Sequence, residues 1–429
     1  MNELPKGWVE TELIEISEIV LGQSPPSETY NDDGDGLPFY QGKTEFGKKS
    51  PTPRKWCNQP NKIALENDIL LSVRAPVGPT NLSLHKSCIG RGLAAVRPII
   101  VDYMYVYYFF KQIEPELSGK GTGTTFNAIT GDVVKSISIH LPPLTEQKRI
   151  VEKIEALFSR LDAGIAALEK TKAQLKRYKQ SVLKAAFEGS LIKSDCVWQE
   201  INLSDCCIKI TDGTHHSPVN KPNGDYKYIT AKNIKEYSLD LDNITYISKK
   251  DHDEIYSRCD VKYRDVLYIK DGATTGRACI NTLNEEYSLL SSVCVLRPDE
   301  NKLLPEFLTF FLNSRIARDE MFKNIAGVAI TRLTLKKIKT SKIQVPNVLI
   351  QRQIVTKIEK FFSVANKALE TVEQELKKAQ ALKSKILEYA FTGKLVPQNP
   401  DDEPAEVLLE RIKAEKEAFQ STKKTRKRQ

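Results

Sequence analysis

The chain has 429 residues, enough for two or three domains with their own cores, and its 40% hydrophobic and 28% charged content is that of a globular protein rather than a disordered or fibrous one. No run of about 18 apolar residues occurs, Met1 to Trp8 lack the pattern of a secretory signal, and the eight cysteines form no CxxC, so a membrane span and a disulfide framework are excluded and a cytoplasmic protein with reduced thiols is expected. The formal charge of +9 suggests an anionic partner, but residues 1–140 carry a net −2 and residues 197–344 only +2, so tight binding to DNA requires local patches or a basic partner.

In chain order, residues 1–140 read as a first mixed α/β domain. The run Ile69–Val73 predicts a strand and Tyr103–Gln112 a short buried helix. Two stretches carry candidate phosphate and base contacts. One is Lys43, Lys48, Lys49, Arg54 and Lys55 among Gly, Pro and Thr, joined by Arg74. The other is the turn-rich Lys120-Gly121-Thr122-Gly123-Thr124-Thr125-Phe126-Asn127, of which Lys120, Thr124, Thr125 and Asn127 are singled out. Hydroxyls, a carboxamide and a lysine on an exposed backbone suit phosphates and base edges.

Residues 141–192 then form a long helix, with Pro142-Pro143 at its start and Gly189 at its end. Positions 150, 154, 157, 161, 164, 168, 171, 175, 178, 182 and 185 alternate steps of four and three and are mostly apolar, which predicts a heptad-like seam. Residues 193–344 read as a second mixed domain, with strands at Tyr226–Thr230, Val266–Ile269 and Val293–Leu296 and a buried helix at Glu306–Asn313. Its candidate contacts are Lys227, Thr230, Lys232, Asn233, Lys270, Thr274, Thr275, Arg277 and Arg332.

Residues 345–396 repeat the first helix. The segments 141–191 and 345–395 align without a gap at a constant offset of 204, and Gln147, Ile150, Phe187 and Gly189 meet identical Gln351, Ile354, Phe391 and Gly393. The domains echo each other more weakly. Trp8, Glu10 and Leu13 resemble Trp198, Glu200 and Leu203; Asp68-Ile69-Leu70 resembles Asp265-Val266-Leu267; Arg97-Pro98 resembles Arg297-Pro298; and Gly123 and Gly327 share the offset. A second helix as long as the first buries both seams most simply by running back along it. The expected fold is therefore α+β: two divergent mixed α/β domains joined by two long antiparallel coiled-coil helices with approximate two-fold symmetry. Residues 397–429 add an acidic, proline-containing linker, a short helix over Glu406–Phe419 and a basic tail read as solvated.

Familiar catalytic signatures fail on spacing. Gly42-Lys43-Thr44 lacks the first glycine of a phosphate-binding loop, since position 37 is leucine. Asp32 to Gly36 misses the calcium-loop pattern. Cys206, Cys207, His215 and His216 match no zinc spacing, so no metal site is expected. Neither Pro-Pro pair follows Asn or Asp, as amino-methyl transfer to DNA requires, and Glu375-x-Lys377 lies on a helix face. The chain is expected to be no enzyme by itself.

Together the features resemble the specificity subunit of a type I restriction–modification enzyme. The resemblance rests on Leu4-Pro5-Lys6-Gly7-Trp8, on Leu141-Pro142-Pro143-Leu144-Thr145-Glu146-Gln147 opening the first helix, and on Ala186-Phe187-Glu188-Gly189-Ser190-Leu191 and Ala390-Phe391-Thr392-Gly393-Lys394-Leu395 closing the two. It spans essentially the whole chain; Leu408–Glu417 with its basic tail fits one branch of the family. One departure is Val348-Leu349-Ile350-Gln351, where the family usually places an acid before the glutamine. The resemblance implies two target recognition domains, each reading half of a split DNA site, with the helices fixing the unread spacer. It implies double-stranded DNA, two modification (methyltransferase) subunits and restriction (ATPase and endonuclease) subunits as partners. S-adenosylmethionine, ATP and Mg would then belong to those partners, with no cofactor in this chain. Gln147, Ile150, Phe187, Gly189, Gln351, Ile354, Phe391 and Gly393 become the candidate partner contacts. A coiled-coil protein-binding scaffold without DNA specificity is the alternative.

Overall fold

The computed structural model describes residues 4–120, 128–323 and 332–426. The predicted contacts Thr124, Thr125 and Asn127, and the paired glycines Gly123 and Gly327, lie outside these residues, as does the side chain of Lys120. The helices are α1 (Leu13–Ile16), α2 (Tyr103–Lys120), α3 (Gly131–Lys135), α4 (Leu144–Phe187), α5 (Leu203–Cys206), α6 (Lys249–Arg258), α7 (Pro305–Leu312), α8 (Arg315–Phe322), α9 (Leu335–Thr340), α10 (Val348–Phe391) and α11 (Ala405–Arg426). Two compact units emerge: Met1–Ala167 with Glu375–Gln429, and Leu168–Gln374.

Unit 1 holds a two-stranded pair, Val9–Glu12 against Ser138–Leu141, and a four-stranded antiparallel sheet in the order Ser17–Leu21, Leu93–Pro98, Ile69–Ser72, Thr80–Leu82. Unit 2 repeats both, as Gln199–Asn202 against Lys342–Val345, and Cys207–Asp212, Val293–Pro298, Val266–Ile269, Ala278–Ile280. The weak echoes in sequence mark one shared device. Arg97 donates through Nε and Nη2 to Asp68 (2.9 and 2.8 Å), and Arg297 does the same to Asp265 (2.8 and 2.8 Å). Both aspartates are buried and also accept from the backbone three residues earlier, so each bidentate pair fixes a turn to the neighbouring strand.

The units differ around these shared sheets. Unit 1 adds a five-stranded sheet (Tyr30–Asn31, Lys55–Cys57, Leu37–Tyr40, Ser87–Ile89, Ile63–Ala64), whereas unit 2 adds a three-stranded one (Thr245–Ile247, Tyr226–Ile229, Ser288–Leu289). The predicted helix Tyr103–Gln112 runs on to Lys120 through Pro115, while its counterpart is broken at Asn313–Ser314 into α7 and α8. The apolar faces of α2 and α7 fill the two largest cores.

Helices α4 and α10 each span 44 residues, about 66 Å at 1.5 Å per residue. Within unit 2, Lys172 pairs with Glu373 (3.0 Å) and Lys179 with Asn366 (3.1 Å). Seven residues forward on α4 are seven back on α10, which is an antiparallel seam. Within unit 1, Lys383 reaches Asp162, and Ile386, Leu387 and Ala390 share a core with Ile150, Ile154 and Leu157. The seam keeps most of the predicted positions and departs from them at 164, 171 and 178. The less exposed residues of α4 include 154, 158, 161, 165, 168, 172, 175, 179, 182 and 186, and at the offset of 204 the α10 residues 358, 362, 365, 369, 372, 376, 379, 383, 386 and 390 are likewise less exposed. Gly164, Thr171 and Tyr178 face outward instead; Ile165, Lys172 and Lys179 turn inward. Two seam lysines set their ammonium groups over aromatic rings: Lys383 Nζ sits 5.0 Å from the Phe158 ring centre, and Lys179 Nζ 4.5 Å from that of Phe362.

The C-terminal helix docks on unit 1. Ala405, Leu408 and Ile412 are buried in its core, Ala405 N donates to Gly7 O (2.9 Å), and Arg149 pairs with Asp402 (2.6 Å). The basic stretch Lys423 to Arg426, expected to be a solvated tail, continues this helix.

Candidate nucleic-acid interface

In unit 1 the loops after three strands of the two larger sheets, with Arg91 between two others, line an open cleft of about 830 Å³. Ser24 follows Ser17–Leu21, Gln41 to Thr44 follow Leu37–Tyr40, Arg74 follows Ile69–Ser72, and Arg91 sits between the strands Ser87–Ile89 and Leu93–Pro98. Close backbone packing makes the cleft possible. A Cβ on Gly92 would lie 2.2 Å from the Gln41 carbonyl oxygen, so only glycine fits there. Glu45 accepts from the backbone of Gln41 and Gly42 (3.1 Å each), fixing the loop that carries Lys43. Lys43, Arg74 and Arg91 are exposed and make no ion pair among the described residues. A concave surface with three unpaired cations among hydroxyls and a carboxamide can receive phosphates and hydrogen-bond base edges.

The structure thus brings Lys43 and Arg74 together and adds Ser24, Tyr30, Gln41 and Arg91, which the sequence reading missed. Arg91 did carry a signal: it stands in Gly90-Arg91-Gly92. Lys48 and Lys49 lie elsewhere, paired with Asp162 and Glu155 of α4 (3.1 Å each). Arg54 and Lys55 are exposed at the strand Lys55–Cys57, outside the cleft.

In unit 2 the turn after Val266–Ile269 presents Thr274 and Arg277, and α8 adds Arg315 and Arg318, around a cleft of about 500 Å³. Several predicted contacts are occupied by the fold. Lys270 is 3% exposed and pairs with buried Asp212 at 3.1 Å; a desolvated ion pair is internal structure, not a surface for DNA. Asn233 is buried, accepting from Thr230 N (3.1 Å) and donating to Asp240 O (3.1 Å). Thr275 is buried and donates to Gly272 O (2.6 Å). Thr230 caps the same turn as Asn233, Lys227 pairs with Glu285 (2.6 Å), and Arg332 lies 3.6 Å from Asp271. Lys232 is exposed beside that turn.

The predicted partner contacts are corrected more thoroughly. Gln147 and Gln351 are fully buried inside their own units. Gln147 Oε1 accepts from Asp102 N (2.9 Å) and its Nε2 donates to Pro142 O (2.9 Å); Gln351 accepts from Leu304 N (2.9 Å) and donates to Lys302 O (2.7 Å) and Pro346 O (2.9 Å). Ile150, Ile354, Phe187 and Phe391 are buried core residues, with Phe187 edge-on to Phe307 and Phe311 and Phe391 packed on Tyr105 and Phe109. Gly189 and Gly393 take φ of +77° and +68°, the left-handed conformation that ends a helix. Their identity between repeats records a repeated internal joint that fixes each helix to its unit.

Glu146, the acid before Gln147, is 1% exposed and accepts from the Trp8 indole (3.1 Å). Burial pushes its carboxyl above the ordinary range, against the pull of that hydrogen bond and of Arg149. Its equivalent is Ile350, packed against the unit 2 core, so a hydrophobic contact stands where the charge is missing.

Comparison with known proteins matches this architecture. The model of the type I restriction modification DNA specificity domain fits residues 5–177 and again 197–378. A Methanocaldococcus jannaschii protein assigned as the MjaX specificity subunit of a type I restriction enzyme is 40% identical over 198 residues, 44% of this chain and 45% of that relative. The type I restriction enzyme EcoBI specificity subunit of Escherichia coli is 26% identical over 98% of this chain and 95% of its own length. A chain in a solved structure described as the basis of complex assembly and conformational transition of the type I R-M system covers 92% of this chain and 100% of its own, with a TM-score of 0.72 at 19% identity, a likeness of fold. With two matches to the same family model, one on each repeat, the chain belongs to the type I restriction–modification DNA specificity family.

Proposed function

We propose that this family member selects DNA through two separate readers. Unit 1 reads one half of a bipartite site with the cleft around Lys43, Arg74 and Arg91, and unit 2 reads the other half around Thr274 and Arg277. The observation that carries this division is the duplicated sheet with a cation-bearing cleft in each unit, lined in part by the loop after an equivalent strand, Ile69–Ser72 in unit 1 and Val266–Ile269 in unit 2. The shared seam of α4 and α10 supports a spacer-setting role for the helices.

Two modification subunits and the restriction subunits are the proposed partners, acting with this chain in the cytoplasm. Methyl transfer from S-adenosylmethionine and ATP- and Mg-dependent translocation and cleavage are assigned to those partners, and this chain supplies choice of site without a cofactor of its own. Two copies of the modification subunit suit a duplicated frame. No helix among the described residues is long and apolar enough to cross a membrane.

Mapping of methylated adenines in cells with this chain and its modification partner, against cells lacking this chain, tests the reading. A bipartite motif methylated on opposite strands is expected. Exchange of residues 1–140 for the corresponding domain of a relative should then alter one half of that motif. No new methylation, with partner activity verified, would refute DNA selection; a change in both halves would refute the two-reader division.

A further inference from the structure

Beside its cleft, unit 2 carries a second concavity of about 690 Å³ between the C-terminal end of α4 and helix α8. Lys176, Arg177, Lys184 and Arg315 line it, with only Glu188 and Asp319 as acids. The cations are available. Arg315 is 86% exposed and its Asp319 contact is long at 3.9 Å, as is the 3.7 Å contact of Lys184 with Glu188. Lys176 and Arg177 make no ion pair among the described residues. The groove and the Thr274–Arg277 cleft share Gln180, Arg315 and Asp319 as lining residues, so they form one continuous basic track.

Unit 1 has a lysine-lined concavity of about 630 Å³ on the equivalent helix, but its Lys48, Lys49, Lys111 and Lys383 face Asp162, Glu155 and Glu114. At the offset of 204, Lys176, Arg177 and Lys184 become Gln380, Ala381 and Glu388. The difference compensates for another. In unit 1 Lys43, Arg74 and Arg91 stand unpaired in the cleft itself, whereas in unit 2 Lys227, Lys270 and Arg332 face Glu285, Asp212 and Asp271. From the loops lining its cleft unit 2 thus presents one cation, Arg277, against three in unit 1, yet each reader needs phosphate contacts to hold its register.

We propose that the groove between α4 and α8 binds the DNA phosphate backbone adjoining the half-site read by unit 2, supplying the contacts that unit 1 makes from its own loops. The proposal rests on the DNA-reading function above. It predicts an asymmetric complex in which removing groove charge weakens binding without changing the recognised sequence.

The test uses the full chain assembled with its modification partner, and duplexes carrying the mapped site or a scrambled one, titrated across a salt series. For the double variant Lys176→Gln/Arg177→Gln, the slope of log K against log salt should fall by about 1.8, at about 0.9 per lost phosphate contact. Both duplexes should weaken together, so their affinity ratio stays constant. Arg315→Gln should lower the slope by about 0.9, and Lys385→Gln, on the equivalent stretch of unit 1, should leave it unchanged. A wild-type complex that does not discriminate the duplexes overturns the DNA reading and this assignment with it. Discrimination by the wild type with unchanged slopes in the variants overturns the groove alone. Loss of the modification partner from the purified variant at an unchanged slope assigns the groove to an acidic protein surface and overturns it equally.

Discussion

Gln147 and Gln351 are the sharpest test of how each spacer helix is fixed to its unit. Substitution of either by leucine keeps the volume and removes the carboxamide. At position 147 the loss orphans the Asp102 N–H and the Pro142 carbonyl; at position 351 it orphans the Leu304 N–H and the carbonyls of Lys302 and Pro346. A buried polar group left without a partner costs about 1–3 kcal/mol. The expected destabilisation is thus about 2–6 kcal/mol for Gln147→Leu and about 3–9 kcal/mol for Gln351→Leu, the larger value following from the third bond. Urea unfolding monitored by tryptophan fluorescence separates the effects, because Trp8 and Trp56 report on unit 1 and Trp198 on unit 2. Each variant should move its own transition and leave the other in place. A shift below about 0.5 kcal/mol in either, or a stable variant that has lost only its modification partner, would refute the internal joint and restore these residues as partner contacts.

Four further variants test the same geometry. Because burial raises the pKa of Glu146 above its usual 4.5, the protonated form is favoured by folding, and stability associated with it is lost as pH rises through that raised value. Glu146→Gln keeps an acceptor for Trp8 and should remove this loss, so the variant's advantage in melting temperature should grow from acid to neutral pH; a constant difference would contradict the assignment. Ile412→Ala empties a fully buried site where α11 meets unit 1 and should cost about 2–4 kcal/mol in the unit 1 transition only, read by the same urea experiment. Lys270→Met should destabilise unit 2 by about 3 kcal/mol by leaving buried Asp212 short of a partner, whereas Arg277→Gln should leave the melting temperature in place and weaken binding to site-bearing DNA.

The architecture was legible because it is periodic and repeated. Local spacing alone predicts both long helices, and the echo of Asp68 and Arg97 in Asp265 and Arg297 follows from one bidentate pair built twice. The seam was read one residue early at Thr171, Tyr178 and Leu382 because Lys172, Lys179 and Lys383 were counted as solvent-facing. Their charged ends reach a carboxylate or carboxamide while their stems lie on the seam, which no count of apolar residues reveals. The identities at Gln147 and Phe187 were read as an external surface because repetition by itself does not say which side of a residue is used. Charge position was the least legible property. Lys43 and Lys270 are both lysines among turn residues, and only the remote Asp212 makes one of them internal. The arginines of α8 were overlooked for the same reason, since what makes them a surface for an anion is the part of α4 opposite them.

The equal register of the two seam helices bears on how such a chain changes. Phe158, Asp162 and Lys383 in one unit correspond to Phe362, Asn366 and Lys179 in the other, position for position. A genetic exchange anywhere within residues 154–186 and 358–390 therefore joins segments that already agree on which side faces the mate. The incoming unit arrives with its half of the seam intact, and the sequence it reads can be replaced without rebuilding the frame that holds it.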